Sequence, residues 1–175
     1  TDIVLYINGI PLVNIELKNP DSLRKNWQDA YADILDYEAK IPELYKYVQI
    51  GVVGDTIFKY FATSHWNPEA QTQRINEWKE DNNKGAIENI CAMLMPEKLL
   101  NLIKYYVFFR EEHNIKTKII ARYMQYRAAE KIVERVKSGL KEESEKKKGL
   151  IWHWQGSGKT LTMIFAANKI YQLPE

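Results

Sequence analysis

Residues 2–18, Asp-Ile-Val-Leu-Tyr-Ile-Asn-Gly-Ile-Pro-Leu-Val-Asn-Ile-Glu-Leu-Lys, decide how the rest of the chain is organised. Hydrophobic residues alternate with other residues on both sides of Asn8 and Gly9. They are Ile3, Leu5 and Ile7 before the pair and Val13, Ile15 and Leu17 after it. This alternation is typical of a β-hairpin with one buried face and a turn at Asn8-Gly9.

The hydrophobic pattern also predicts the register of the hairpin. The odd-numbered hydrophobic residues of both strands can be buried together only if facing residues have numbers that sum to an even value. A three-residue loop of residues 7–9, with Gly9 in the left-handed conformation, satisfies this condition. We therefore expect Asp2 to face Asn14, with Glu16 diagonal to Asp2 at about 7–8 Å between backbone positions.

Asp2, Glu16 and Lys18 share the polar face in this register, and their chemistry suits phosphodiester hydrolysis. Two carboxylates supply hard oxygen ligands for Mg²⁺, which usually keeps several waters and binds one or two protein carboxylates. The metal would polarise a phosphoryl oxygen and acidify a bound water, while Lys18 orients this water and stabilises charge on the phosphate. A charged face on an ordinary edge hairpin is the alternative interpretation of the same residues.

The spacing of these residues resembles the nuclease core of the restriction (R) subunit of type I restriction-modification enzymes, a branch of the PD-(D/E)xK nucleases. The resemblance rests on Asp2, on Asn-Gly-Ile-Pro-Leu-Val at residues 8–13 and on Glu-Leu-Lys at residues 16–18. It implies that Asp2 and the Glu hold Mg²⁺ and that the Lys is catalytic. Such nucleases often have a further acidic residue on a helix before the hairpin, and that helix is missing from the sequence given.

The same resemblance assigns a supporting role to a helix predicted at residues 23–39. In related nucleases this helix bears a Gln and, four residues later, a Tyr that support the active site. Alignment through Ile-Pro-Glu-Leu at residues 41–44 places the Tyr at Tyr37 and puts Asp33 at the Gln position. Asp33 therefore departs from the family pattern, and Tyr37 is also consistent with a tyrosine of the core or its rim.

The remaining pattern predicts further strands and helices around the hairpin. We expect strands at residues 47–53, 57–63 and 150–152, helices at residues 71–80, 86–95, 96–110 and 161–171, and a further helix ending near residue 139. The helix at residues 23–39 is expected to be capped by Asp21 or Ser22. Trp66 and Trp78 are expected to pack on the sheet rather than to contact DNA, and Cys91 is expected to be buried.

The composition excludes several classes of protein. No hydrophobic run approaches the length of a membrane span and there is no signal-peptide pattern, so a cytoplasmic location with no membrane partner fits the sequence. Cys91 is the only cysteine, which excludes an intrachain disulfide and a cysteine-based zinc site. The net charge of +2 does not by itself indicate a nucleic-acid partner, because a DNA enzyme can concentrate its basic residues locally.

A second motif follows residues 150–152, where His-Trp-Gln-Gly-Ser-Gly-Lys-Thr occupies residues 153–160. The order of strand, glycine-containing loop and helix is the context of a phosphate-binding loop. Lys159 would reach the β- and γ-phosphates of ATP and Thr160 would ligate Mg²⁺. His153 stands where the general pattern has its first Gly, which resembles the helicase version of the motif. The predicted nucleotide-binding residues of this loop are Gly156, Ser157, Gly158, Lys159 and Thr160.

Residues 122–125, Arg-Tyr-Met-Gln, resemble the segment of superfamily 2 helicases and related translocases in which a Gln ahead of the phosphate loop pairs with adenine. The resemblance implies nucleotide contacts from Arg122 and Gln125. A Gln amide matches the donor and acceptor on one edge of adenine, so this pairing is chemically reasonable. Without the resemblance, Gln125 would be interpreted as an ordinary polar residue.

Together these features predict an α/β protein with two parts. Residues 1–112 would form a PD-(D/E)xK restriction-endonuclease-like domain, a mixed sheet flanked by helices that lacks its N-terminal part. Residues 113–175 would begin a RecA-like, helicase-like motor domain with a P-loop. Because no acidic Walker B segment follows, this piece alone is not expected to hydrolyse ATP.

The resemblance implies the activity of the intact protein. It would be an ATP-dependent type I site-specific deoxyribonuclease that cuts double-stranded DNA with Mg²⁺ after ATP-driven translocation, with methylation and specificity subunits as partners. Two alternatives remain. One is a DNA translocase whose nuclease fold is an inactive scaffold, and the other is a DNA-repair nuclease-helicase.

Overall fold

A computed structural model describes residues 1–21, 25–64, 66, 75–80, 82–139, 148–152 and 154–173. Its strands are β1 (Ile3–Ile7), β2 (Ile10–Leu17), β3 (Ile50–Gly54), β4 (Phe58–Ala62), β5 (Val107–Glu112) and β6 (Ile115–Ile120). Its helices are α1 (Trp27–Lys40), α2 (Pro42–Tyr45), α3 (Ala86–Leu94), α4 (Pro96–Tyr106), α5 (Tyr123–Gly139) and α6 (Lys159–Tyr171). None of the helices in the described ranges is long and hydrophobic enough to cross a membrane.

The main sheet is mixed and has four strands in the order β1-β2-β3-β4. The β1–β2 and β3–β4 pairs are antiparallel, whereas β2 and β3 run parallel. Parallel neighbours need a crossover connection, and α1 and α2 lie in the segment that provides it. The predicted mixed sheet with flanking helices is thus confirmed. Strand β4 lies within the predicted segment 57–63, whereas β3 begins three residues after the start of the predicted segment 47–53 and ends one residue beyond it.

Helices cover both faces of this sheet. On one face, α1 and α2 form a core with β3 and β4 whose members are Ala30, Tyr31, Ile34, Tyr45, Val48, Val53 and Phe61. On the other face, α3 and α4 share a hydrophobic core with β2, β3 and β4, whose members include Val13, Ile15, Ile50, Val52, Tyr60, Ala62, Ile90, Met93, Leu99, Leu102 and Tyr106. The β2 part of the polar face, with Asn14 and Glu16, is therefore covered by α1 and α2, whereas Asp2 is exposed.

Away from the turn, facing residues of the β1–β2 hairpin have numbers with an even sum, as predicted. The pairs themselves differ from the predicted ones. Ile3 faces Ile15, so paired residues have an even sum and the hydrophobic side chains share a face. The expected pairing of Asp2 with Asn14 is wrong. Continuing from the Ile3–Ile15 pair by one residue in each strand brings Asp2 opposite Glu16 instead.

The turn accounts for the difference in register. Asn8 and Gly9 have φ angles of 51° and 78°, which makes a two-residue hairpin turn rather than the predicted three-residue loop. Ile7 accordingly faces Ile10, a pair with an odd sum. A bulge that leaves Leu12 without a facing residue restores the even sum for the rest of the hairpin.

Helix α1 begins at Trp27, four residues later than predicted. Its cap is Asn26, whose side-chain oxygen accepts a hydrogen bond from the Gln28 N–H at 2.9 Å. The Asp29 carboxylate in turn accepts a hydrogen bond from the Asn26 N–H at 2.8 Å, which completes a capping box. The prediction of a cap at Asp21 or Ser22 is therefore wrong, and Ser22 lies outside the described residues.

The predicted helix at residues 96–110 ends at Tyr106, because the next six residues form β5 and pair with β6. Val107, Phe108 and Phe109 favour a strand, and His113 and Asn114 make the turn with φ angles of 50° and 63°. The predicted boundary between residues 112 and 113 thus lies at the turn of this hairpin. The division into two domains stays a prediction.

Other local predictions have mixed outcomes. Residues 75–80 are not helical, since Asn76 forms an antiparallel bridge with Tyr60, and residues 71–74 lie outside the described residues. Trp78 is buried on the sheet as predicted, but Cys91 is exposed. Trp66 is 42% exposed, and its ring lies 5.5 Å from that of Phe109 in β5. Residues 150–152 form no pairing with any strand in the described chain.

Candidate active site and phosphate-binding loop

Strand β2 presents its even-numbered side chains to α1 and α2. The Asn14 amide nitrogen donates a hydrogen bond to the Tyr45 hydroxyl at 2.5 Å. Two residues further on, Glu16 is only 4% exposed. Lys18 follows the strand, and its N–H donates to the Gly54 carbonyl at 2.8 Å, which keeps it in line with the sheet. Because side chains two residues apart in a strand lie on the same face, Glu16 and Lys18 both lie on the face of the sheet that α1 covers.

Lys18 lies between two carboxylates on this face. Its Nζ is 2.5 Å from Asp33 Oδ2, on α1, and 3.3 Å from Glu16 Oε1. The hydrogen bond to Asp33 is the main cause of a raised pKa for Lys18, against the opposing effect of burial. The ammonium is thus held in its charged form.

The second oxygen of Glu16 is placed differently. Glu16 Oε2 is buried and makes no hydrogen bond within the described part of the chain. It lies 3.8 Å from the amino group of Thr1. A buried carboxylate oxygen normally has a hydrogen-bond partner, so this oxygen has the capacity to accept a further ligand.

Asp2 directly precedes the neighbouring strand β1 and approaches the same end of β2. Its Oδ2 accepts a hydrogen bond at 2.8 Å from the N–H of Leu17, the residue between Glu16 and Lys18. The structure therefore brings the three predicted catalytic residues together, although in a register other than the predicted one. Asp2 is exposed, whereas the other two side chains are largely covered.

Tyr37 lies one turn after Asp33 on α1, and its hydroxyl group is within the electrostatic field of the same residues. Its pKa is raised, first by partial burial and then by the negative charges of Glu16 and Asp33, with Asp2 contributing and Lys18 opposing. The sequence alignment that selected Tyr37 thus chose a residue beside the carboxylates. Its supporting role stays a prediction.

The donor set suits a magnesium ion bound by few protein ligands. The described residues contain no group of three or more His, Cys, Asp and Glu side chains that could hold a metal ion. Mg²⁺, however, commonly takes one or two carboxylates and fills its other positions with water and substrate phosphate. Asp2 and Glu16, whose Oε2 accepts no hydrogen bond from any described residue, fit that mode of binding.

The phosphate-binding loop has the backbone geometry that its glycines permit. Gly156 and Gly158 have φ angles of 79° and 83°, in the left-handed region that favours glycine. Helix α6 begins directly after them at Lys159, so its first N–H groups point into the loop as at other anion-binding helix ends. The Ser157 hydroxyl is buried and makes no hydrogen bond to any described residue. His153 lies outside the described residues.

Gln125, at the start of α5, braces this loop. Its Oε1 accepts a hydrogen bond from the Arg122 N–H at 3.0 Å, and its Nε2 donates to the Ser157 carbonyl at 3.2 Å. A Cβ atom at Gly158 would stand 2.3 Å from Gln125 Nε2. Both ends of the amide predicted to pair with adenine are therefore engaged within the protein, a role that the sequence did not indicate.

Two cavities adjoin the loop. One of about 220 Å³ is lined by loop residues together with Arg122 and Gln125. The other, of about 810 Å³, shares Arg122, Gln125 and Ser157 with it and extends to Trp154 and to Glu80. Five of the predicted nucleotide-binding residues therefore border an open space: Arg122, Gln125, Gly156, Ser157 and Gly158. Lys159 and Thr160 line neither cavity. Part of the wall comes from the segment that follows the main sheet.

A buried polar network attaches the loop helix α6 to α4 and α5. Lys169, on α6, lies 2.5 Å from Glu130 Oε1 and 2.7 Å from Asn101 Oδ1. The Tyr106 hydroxyl donates a hydrogen bond to the same Glu130 oxygen. Because α4 and the main sheet contribute residues to one hydrophobic core, these contacts connect the loop helix to the core on the other side of the sheet from the candidate active site.

Comparison with known proteins assigns the chain to a family. Residues 1–70 match the family model described as the N terminus of the type I restriction enzyme R protein, and residues 124–175 match the SWI2/SNF2 ATPase model. The chain belongs to the R-protein family of type I restriction enzymes. The two matched segments contain the candidate active site and the phosphate-binding loop, respectively.

Named relatives of this R-protein chain cover nearly its whole length. It is 39% identical over 172 residues to the MjaVIIIP type I restriction enzyme endonuclease subunit of Methanocaldococcus jannaschii, covering 97% of the chain. It is 34% identical over 185 residues to the HindI type I restriction enzyme endonuclease subunit of Haemophilus influenzae, covering 99% of the chain. The chain spans 17% of the length of each of these relatives.

Proposed function

We propose that the intact R protein is an Mg²⁺-dependent endonuclease that cuts double-stranded DNA, and that residues 1–112 belong to a PD-(D/E)xK nuclease domain. The observation that carries the proposal is the cluster on the α1 side of β2. There a lysine ammonium lies beside Glu16, whose second carboxylate oxygen accepts no hydrogen bond in the described part of the chain, and Asp2 reaches the same strand end. The names of the relatives, as endonuclease subunits, support it.

Each residue would have a distinct part in cleavage. Asp2 and Glu16 would hold Mg²⁺, which when bound polarises the scissile phosphate and acidifies a water. The Lys18 ammonium would stabilise the negative charge that develops on the phosphate and orient the attacking water. Tyr37, whose hydroxyl lies in the field of the carboxylates, would support this arrangement.

We further propose that ATP binds at the phosphate-binding loop and drives DNA translocation before cutting. Gly156, Ser157 and Gly158 would surround the phosphates with backbone N–H groups, Lys159 would contact the β- and γ-phosphates, and Thr160 would ligate Mg²⁺. The SWI2/SNF2 ATPase match over residues 124–175 supports a RecA-like motor domain. Methylation and specificity subunits would provide recognition of the DNA sequence.

Lys18→Ala tests the nuclease proposal in the intact R protein assembled with its methylation and specificity subunits. Loss of the ammonium should reduce DNA cutting by about 10²-fold or more, as for other electrostatic catalytic groups, while DNA-stimulated ATPase is retained. Lys46→Ala is the matched control. Lys46 is also a lysine in an ion pair, but its partner is Glu43, it is exposed, and it is not one of the candidate site residues. Unchanged cutting by the Lys18 variant would contradict the proposal.

One observation favours a second candidate function, a DNA translocase with an inactive nuclease fold. Asp33 stands at the position where the related nucleases have a Gln. Under this alternative, neither Lys18→Ala nor Glu16→Gln would change any DNA cutting associated with the complex. A DNA-repair nuclease-helicase is distinguished differently: its cutting would proceed without methylation and specificity subunits, whereas a restriction enzyme would need them.

A further inference from the structure

The ammonium of Lys18 is shared unequally between two acids. Its Nζ is 0.8 Å closer to Asp33 Oδ2, at 2.5 Å, than to Glu16 Oε1, at 3.3 Å. The Asp33 side chain is 43% exposed, whereas that of Glu16 is 5% exposed. The less buried acid therefore holds the lysine more closely, and the more buried acid keeps one oxygen without a hydrogen bond in the described structure.

This arrangement has a direct consequence for cation binding by Glu16. A lysine ammonium that settles on a buried carboxylate neutralises it and competes with a metal ion for the same oxygens. The ion pairs of Lys18 are to Asp33 and Glu16, so without Asp33 the ammonium would keep direct contact with the Glu16 carboxylate. Asp33 offers a charged partner on the helix side and draws the ammonium away from the strand.

We propose that Asp33 is a positioning residue that holds Lys18 away from Glu16 and so leaves the Glu16 carboxylate able to bind a divalent cation. The inference rests on the proposed function, because it takes Asp2 and Glu16 as the cation site. It assigns a role to Asp33, which stands where the related nucleases have a Gln. A neutral Gln at this position could accept a hydrogen bond from Lys18 but would attract its charge less strongly.

Binding of Mn²⁺ to the intact R protein without nucleotide, followed by electron paramagnetic resonance, tests this inference independently of cutting. Asp33→Asn should weaken Mn²⁺ binding roughly fivefold, because Lys18 moves onto Glu16. In a Lys18→Met background, Asp33→Asn should have no further effect, since the competing ammonium is gone. Mn²⁺ that still binds the Asp2→Asn/Glu16→Gln variant belongs to other sites and is subtracted.

The variants separate the possible outcomes. If Asp33→Asn weakens Mn²⁺ binding equally with and without Lys18, Asp33 is itself a ligand and the inference is overturned. If Asp33→Asn has no effect in either background, the inference is also overturned while the cation site stands. If Glu16→Gln leaves Mn²⁺ binding unchanged, the proposed site fails and this inference fails with it.

DNA-cutting assays supply a second measurement. Its expected result, a shift in Mg²⁺ dependence, would not follow if Asp33 only stabilised the fold. With Asp33→Asn, the Mg²⁺ concentration for half-maximal cutting should rise roughly fivefold, while the rate at saturating Mg²⁺ stays within about twofold of wild type. Asp33→Glu, which keeps the charge, should restore the wild-type Mg²⁺ dependence. A fall in the saturating rate without a shift in Mg²⁺ dependence, at unchanged ATPase, would contradict the positioning role.

Discussion

At the scale of single residues, two side chains have roles that the sequence pattern did not reveal. Asp33 was recognised only as a departure from the family pattern, yet it is the closest carboxylate to Lys18. Gln125 was selected for pairing with adenine, yet its amide joins Arg122 to the phosphate-binding loop. Both roles depend on contacts between elements distant in sequence, which local spacing does not encode.

Gln125→Ala tests the bracing role in the intact R protein. Loss of the bond to the Ser157 carbonyl should weaken nucleotide binding by roughly tenfold, about the effect of one buried hydrogen bond, and equally for ATP and GTP. Equilibrium binding of the two nucleotides measures this, and Gln172→Ala, at an exposed position directly after α6, is the control. A selective loss of ATP binding would instead indicate that Gln125 reads adenine.

At the scale of elements, the sequence predicted the buried face of the hairpin but not its register. Alternation from Ile3 to Leu17 determines which side chains share a face, and the predicted grouping of the hydrophobic side chains on one face is correct. The bulge at Leu12 adds one residue without altering the hydrophobic pattern, so no count of alternating positions could reveal it. The continuous pattern after Pro96 likewise suited one long helix, whereas pairing with residues 115–120 makes its end a strand.

The contact between helices α4, α5 and α6 gives a prediction at this scale. Lys169→Met would leave Glu130 without its cation, and because that carboxylate is partly exposed we expect a local cost of about 2 kcal/mol. Amide hydrogen exchange of residues 159–171 in the intact protein should then be roughly thirtyfold faster, with residues 27–40 unchanged. Lys131→Met, at an exposed position of α5, is the control. Unchanged exchange in α6 would show that the network does not stabilise this helix.

At the scale of the whole molecule, two sites lie on one continuous framework. The candidate active site lies on the α1 side of the sheet, α4 packs on the opposite side, and the loop helix α6 is attached to α4 through Lys169 and Asn101. The motifs at both ends could be identified from the sequence because each is local, within residues 2–18 and 153–160. The way in which they are joined could not, because the connecting hydrogen bonds span 39 and 68 residues.

The central claim is that Asp2 and Glu16 bind a divalent metal ion beside Lys18. The most direct measurement is the anomalous diffraction of Mn²⁺ in crystals of the intact R protein. We predict a peak within about 2.0–2.3 Å of a carboxylate oxygen from each of these two acids, and its loss in Glu16→Gln. Manganese bound only at the phosphate-binding loop, with the Asp2 and Glu16 oxygens vacant, would contradict the account.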